Sequence, residues 1–274
     1  MVERLKDAIE KARKARTDGE AGAAVPARLI GDAAKPWTDF SELAFDSTAL
    51  KSNRVVSTEE TDPAHLSFDI LRTRISTMCR NQNWTRIAVT SPTKNCGKTV
   101  VATNLAFSLA RSAVTRLMLF DFDLRSPNLA RTLAARDAAS IEPYLTGQSD
   151  AAAHFKRIGE NLAVALNDGP VSRSAELLQS PSVAQTLAKT LSDYKPTLTL
   201  FDLPPLLGSD DVIGFLGNVD CVMLIVGGGV TRPSELEECN QLLSGGPPVA
   251  GVVLNRAEMS GDEVYHVRYA YGDS

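Results

Sequence analysis

The sequence lacks any apolar run of the roughly 18–20 residues that a bilayer-spanning helix needs. The nearest approach, Val219 to Val230, is interrupted by Asp220 and three glycines. A signal-peptide core is missing too, because Met1 to Arg16 carries a charge every two or three residues. Four cysteines (Cys79, Cys96, Cys221 and Cys239) form neither a CxxC pair nor a zinc-ligand spacing, so a reducing cytoplasm is the expected compartment. Positive charge is not in excess. With 29 Lys and Arg against 33 Asp and Glu, the net charge of −4 argues against a general grip on nucleic acid or anionic lipid. The 43 % apolar and 23 % charged composition excludes collagen-like, disulfide-scaffold and wholly disordered chains. What remains is a soluble globular protein of 274 residues, long enough for one large domain with extensions.

Residues 1–16 hold six basic and three acidic side chains, with Val2, Leu5, Ile9 and Ala12 at helical spacing. This reads as a basic amphipathic helix, resting on the domain or a partner, or lying on a membrane surface. Residues 17–53 turn to Ala, Gly, Pro and Ser with acidic charge, the composition of a flexible linker. From residue 54 to 257 the pattern is a folded domain. Short apolar runs at Arg86–Thr90, Arg116–Phe120, Leu162–Leu166, Leu198–Leu203, Cys221–Val226 and Val249–Leu254 read as buried strands. Helical stretches separate most of them, at Thr99–Ala113, Pro127–Ala135, Ser180–Asp193 and Pro233–Leu243. Alternating units of this kind predict an α/β fold with a mostly parallel sheet and helices on both faces. Ligands then bind beyond the carboxyl ends of the strands.

Three of those strand ends carry chemistry. The first runs through Ser91-Pro-Thr-Lys-Asn-Cys-Gly-Lys-Thr99 straight into a helix. A Gly-Lys-Thr at such a junction points backbone N–H groups at a phosphate. Lys98 would reach the β- and γ-phosphates and the Thr99 hydroxyl would ligate magnesium. Pro92 stands where the full motif has glycine, and Asn95 where phosphate loops favour glycine; Asn is among the residues that best tolerate a left-handed backbone. The second end is Asp121-Phe-Asp123-Leu-Arg125, two carboxylates on one side of an extended segment, suited to a metal and a proton acceptor. The third is Asp202-Leu-Pro-Pro205, an acid closing an apolar strand.

In this order, the motifs resemble the bacterial tyrosine kinases (BY-kinases) of capsule and exopolysaccharide synthesis, which belong to the deviant-Walker P-loop ATPases. The resemblance covers residues 54–257 and includes the helix Phe68–Ile75, the Asn104-Leu-Ala stretch and Gly251–Arg256. It implies a three-layer P-loop NTPase fold and a protein-tyrosine autokinase that uses ATP and Mg2+. Nucleotide contacts would come from Thr93, Lys94, Asn95, Cys96, Gly97, Lys98, Thr99, Val100 and Arg256, with Asn255 facing the adenine. Thr99, Asp123 and Asp202 would hold the metal. Lys98 would stabilise the transferred phosphoryl group, with Asp121 as the base, a role that Asp123 could exchange with it. Arg125 would orient the second carboxylate or bind the incoming tail. Residues 258–274 contain three of the five tyrosines, Tyr265, Tyr269 and Tyr271, which the resemblance makes the phosphoacceptors. Their activator would be the cytoplasmic segment of a membrane polysaccharide co-polymerase, placing the protein at the inner face of the plasma membrane.

Two departures qualify this expectation. Lys94-Asn-Cys96 replaces the family's Pro-Gly-Glu, and Leu66-x-x-Asp69-x-x-Arg72 keeps only the last member of its oligomerising Glu-x-x-Arg-x-x-Arg helix. Self-association is implied, with Arg72 as a contact, but the lost charge pairs argue against a closed ring. An ATP-dependent adaptor without phosphoryl transfer is the first alternative. A partitioning or positioning ATPase is the second, disfavoured because Thr93 stands where that class carries its signature lysine.

Overall fold

The computed structural model describes residues 34–44, 47–58 and 62–257. The expected helix over 1–16 and the tyrosine tail over 258–274 lie outside the described residues.

The chain alternates strands and helices: β1 (Ser41–Glu42), α1 (Ser47–Ser52), α2 (Pro63–Gln82), β2 (Arg86–Thr90), α3 (Lys98–Ala110), β3 (Leu117–Asp121), β4 (Lys156–Ile158), β5 (Leu162–Ala165), α4 (Pro181–Tyr194), β6 (Leu198–Asp202), β7 (Cys221–Gly227), α5 (Pro233–Leu242) and β8 (Val249–Asn255). Short helical turns fill the connections, among them Leu129–Thr132 and Asp211–Phe215. Helix starts follow local chemistry. Asp62 caps α2 by accepting from Ala64 N, Ser180 caps α4 by accepting from Val183 N, and each is followed by a proline at the first helical position.

Eight strands form one sheet in the order β1-β4-β5-β3-β6-β2-β7-β8, parallel except where β4 meets β5. Side chains of each strand alternate between two cores. One is aromatic, built around Phe120, Phe122, Phe155, Phe201, Phe215 and Tyr144. The other is aliphatic, where Leu117, Leu119, Leu198 and Leu200 meet α2 and α3. Helix α3 is buried along nearly its whole length, so its small residues (Ala102, Thr103, Ala106) set how closely it lies on the sheet.

Two expectations from composition need correction. The segment 17–53 was expected to be a linker, but its described part, from Ala34 on, is built into the domain. Trp37, Phe40, Leu43 and Leu50 are buried. The Trp37 Nε1 donates to Tyr194 O at 2.9 Å, and Phe40 stacks on Phe155 and Tyr194. Four large apolar side chains spaced through a polar stretch suffice to anchor it, since each aromatic buries 150–250 Å². The stretch Pro127–Ala135, expected to be a helix, contracts to the turn Leu129–Thr132. Its end is fixed by Ala134, whose φ of 51° cannot continue a right-handed helix. No described helix is long and apolar enough to cross a membrane.

Candidate functional site

Sheet order explains why three distant motifs meet. β3, β6 and β2 are adjacent and parallel, so their carboxyl ends emerge side by side. Register puts Asp121 opposite Asp202, and Asp202 opposite Val89, one residue before β2 ends. The loop after β2 then arches over these ends and turns into α3.

Two residues give that loop its shape. Asn95 takes the left-handed backbone with φ 67°, and Gly97 does so with φ 84°. Gly97 has a second constraint. A Cβ there would lie 2.2 Å from Asn255 Nδ2, which donates to Cys96 O at 2.8 Å. Asn255 therefore helps to hold the loop, in the space that glycine leaves open. Cys96 is buried, with its Sγ 3.5 Å from Thr231 Oγ1. Cys96 and Thr93 are not among the residues lining the cleft; a phosphate loop meets its ligand through backbone N–H groups.

The cleft has a volume of about 430 Å³, within the usual range of ligand sites. Lys94, Asn95, Gly97, Lys98, Thr99, Val100 and Arg256 line one wall; Asp123, Arg125, Ser126, Asn128 and Ser209 line the other. Lys98 Nζ lies 2.7 Å from Asp123 Oδ2 and 3.5 Å from Asp202 Oδ1. Thr99 Oγ1 donates to Asp202 Oδ2 at 2.6 Å. Burial opposes the Lys98 charge, but Asp202 and Asp123 outweigh it, and its pKa is raised. Asp202 is wholly buried, which pushes its carboxyl up against the pull of Lys98 and Thr99.

Asp121 departs from its expected place. Its carboxylate is fully buried outside the cleft lining, and its Oδ2 accepts from Asn128 N at 3.1 Å and Leu129 N at 2.9 Å. Burial, then repulsion from Asp202, raises its pKa well above the ordinary range. Both carboxylates act on Lys98 electrostatically, Asp123 as its direct partner. Asp123 alone enters the cleft.

The donor set fits magnesium. Thr99 offers a hydroxyl, and Asp202 Oδ1, fully buried, accepts no hydrogen bond; Asp123 adds a carboxylate at the cleft, and hard oxygen donors are what this ion takes. Among the described residues no three His, Cys, Asp or Glu side chains converge as a cage. Such a set binds magnesium together with phosphate oxygens and water.

Arg125 lines the far wall, its Nε donating to Asp211 Oδ2 at 2.7 Å, with Asp210 Oδ1 3.5 Å from its other end. Asp211, Ser126, Asn128 and Ser209 were not foreseen. The only trace was the Asp-Asp pair shortly after Pro205, and its partner lies 86 residues away. Arg72, expected at a subunit contact, is turned inward: its Nη1 donates to Ser108 O at 3.4 Å and lies 3.5 Å from Asp69.

Residues 87–267 match the CobQ/CobB/MinD/ParA nucleotide-binding domain. The chain belongs to that family. Over 225 residues it is 24 % identical to the tyrosine-protein kinase YwqD of Bacillus subtilis (strain 168), covering 81 % of this chain and 92 % of that kinase. It is 30 % identical over 202 residues to the succinoglycan biosynthesis transport protein ExoP of Rhizobium meliloti (strain 1021), covering 67 % of this chain and 25 % of ExoP. The VpsO kinase domain superposes with a TM-score of 0.63 at 26 % identity, over 70 % of this chain and 96 % of that domain. Relatives of this chain thus include proteins named as tyrosine-protein kinases, and its fold is that of a P-loop NTPase.

Proposed function

We propose that the protein is an ATP-dependent protein-tyrosine kinase that regulates exopolysaccharide or capsule synthesis and phosphorylates its own Tyr265, Tyr269 and Tyr271. The observation that carries this reading is the Lys98 ammonium, 2.7 Å from Asp123 and 3.5 Å from Asp202 at the mouth of a phosphate loop. In the absence of nucleotide, Lys98 offsets part of the charge of the acidic centre. With ATP present it turns to the β- and γ-phosphates, and Asp123 is released to face the acceptor. The tyrosine oxygen then bonds to the γ-phosphorus, the bond from that phosphorus to the β-phosphate oxygen breaks, and the phenolic proton passes to Asp123. Lys98 and the loop amides hold the charge of the transferring group. Magnesium held by Thr99 and Asp202 would add Lewis-acid stabilisation of the same oxygens. Arg125, fixed by Asp211, supplies a cation to the acceptor side, where Asp262 and Glu263 precede the first tyrosine. A cytoplasmic segment of a membrane polysaccharide co-polymerase brings the protein to the inner face of the membrane and activates it.

A second reading, an ATP-binding adaptor of the export machinery, has one observation in its favour. Asp69 and Arg72 have partners within the subunit, a use that competes with pairing to a neighbour. Incubation of the full chain with Mg-ATP and the co-polymerase segment, followed by phosphotyrosine mapping, separates the two. Phosphate on the tail tyrosines that disappears in Lys98→Ala supports the kinase. Bound nucleotide with no phosphotyrosine leaves the adaptor.

A further inference from the structure

Strand β8 is an edge of unusual character. It is seven residues long, with neither charge nor proline between Val249 and Asn255, whereas proteins blunt edge strands with such residues or keep them short. Three of its side chains, Val249, Val252 and Leu254, are among the few exposed large apolar groups of the described residues. Val252 and Leu254 pair in register with Leu224 and Val226, which belong to the aromatic core. They therefore extend that core's face outward, yet remain 58 % and 60 % exposed. Leu242, near the end of α5, is also exposed.

The chain that leaves this edge has a matching pattern. Seventeen residues follow Ala257 in the sequence. Residues 258–263 read Glu-Met-Ser-Gly-Asp-Glu, with turn-forming Ser-Gly-Asp. Residues 264–271 then alternate: Tyr265, Val267, Tyr269 and Tyr271 fall on one side of an extended chain, and Val264, His266, Arg268 and Ala270 on the other. Every member of the first side is apolar or aromatic.

We infer that residues 264–271 add to the outer edge of β8 of the same chain as an antiparallel strand, with the tyrosine-bearing side over Val252 and Leu254. A loop over residues 256–263 sets Leu254 opposite Tyr265 and Val252 opposite Val267. A slip of one residue would place His266 and Arg268 on the apolar face instead. Aromatic and β-branched cross-strand pairs of this kind stabilise antiparallel edges. The inference does not rest on kinase activity, and it is tested without nucleotide.

The test uses the full chain. Opposed residues have Cβ atoms about 4.5–5.5 Å apart, near disulfide range, and the four native cysteines are buried. Mild oxidation of Val252→Cys/Val267→Cys should give a 252–267 disulfide within one chain, at about tenfold higher yield than Val252→Cys/His266→Cys. Hydrogen exchange of β8 in the unmodified chain is the second measurement: Val267→Lys should speed it about tenfold by freeing the edge. Disulfides formed only between chains would assign the edge to a second copy and overturn the inference. Equal yields from the two pairs, with exchange unchanged by Val267→Lys, would overturn it as well.

Discussion

Two clusters of basic and acidic side chains flank helix α3, and they are built in opposite ways. At its C-terminal end, Asp69 is shared among buried Ser108 and the partly exposed Arg72 and Arg111, with buried His65 alongside. Basic groups there are in excess of acid. At its N-terminal end, a single ammonium, Lys98, faces Asp121, Asp123 and Asp202, all buried. Acid is in excess, and one oxygen each of Asp121 and Asp202 accepts no hydrogen bond. The first cluster gives its one carboxylate several partners, so it fastens α2 to α3. The second keeps uncompensated negative charge out of water, which costs stability unless a cation relieves it. A site that binds a magnesium nucleotide needs that imbalance.

Removing the cation of the second cluster should have the largest effect. Lys98→Ala is expected to lower phosphotyrosine formation on the order of 10³-fold, as loss of a transition-state charge partner does. Next comes ligand stabilisation. A non-hydrolysable ATP analogue with Mg2+ at a hundred times its Kd should stabilise the wild type by about 2.7 kcal/mol in denaturant unfolding. The same addition to Asp202→Asn should give far less.

Asp121→Asn tests the stored imbalance itself. Burial, and then Asp202, raise the folded-state pKa of Asp121, so the folded protein binds the extra proton. The stability this group contributes is complete below its unfolded pKa of about 3.9 and is lost as pH rises through the folded value. Asn carries no such loss. The variant should match the wild type near pH 4 and exceed it by about 1–2 kcal/mol at pH 8, in unfolding curves recorded without nucleotide. Asp69→Asn, in the other cluster, should cost no more than about 1 kcal/mol, with the difference shrinking as salt is added.

Much of this architecture was legible in the sequence, for identifiable reasons. Five strands announced themselves as continuous apolar runs because a parallel sheet covered on both faces buries both sides of each strand; β8, expected to be buried with them, is instead an edge with Val249, Val252 and Leu254 exposed. The phosphate loop was legible because Gly97-Lys98-Thr99 sits between such a run and a helix. β1 and β4 were not, since two and three residues carry no period. Residues 34–53 were misread because composition averages over a few anchoring side chains. That Asp123 lines the cleft and Asp121 does not is a matter of tertiary placement, and the hold of Asn255 on Cys96 spans 159 residues. Neither leaves a local trace.

Calorimetric titration of the wild type and Asp202→Asn with a non-hydrolysable ATP analogue, with and without Mg2+, tests the account most directly. If the buried acidic centre is a magnesium–nucleotide site, the wild type should bind tightly only with Mg2+, and Asp202→Asn should lose most of that dependence. Equal affinity with and without Mg2+ in the wild type, or an unchanged metal dependence in Asp202→Asn, would contradict it.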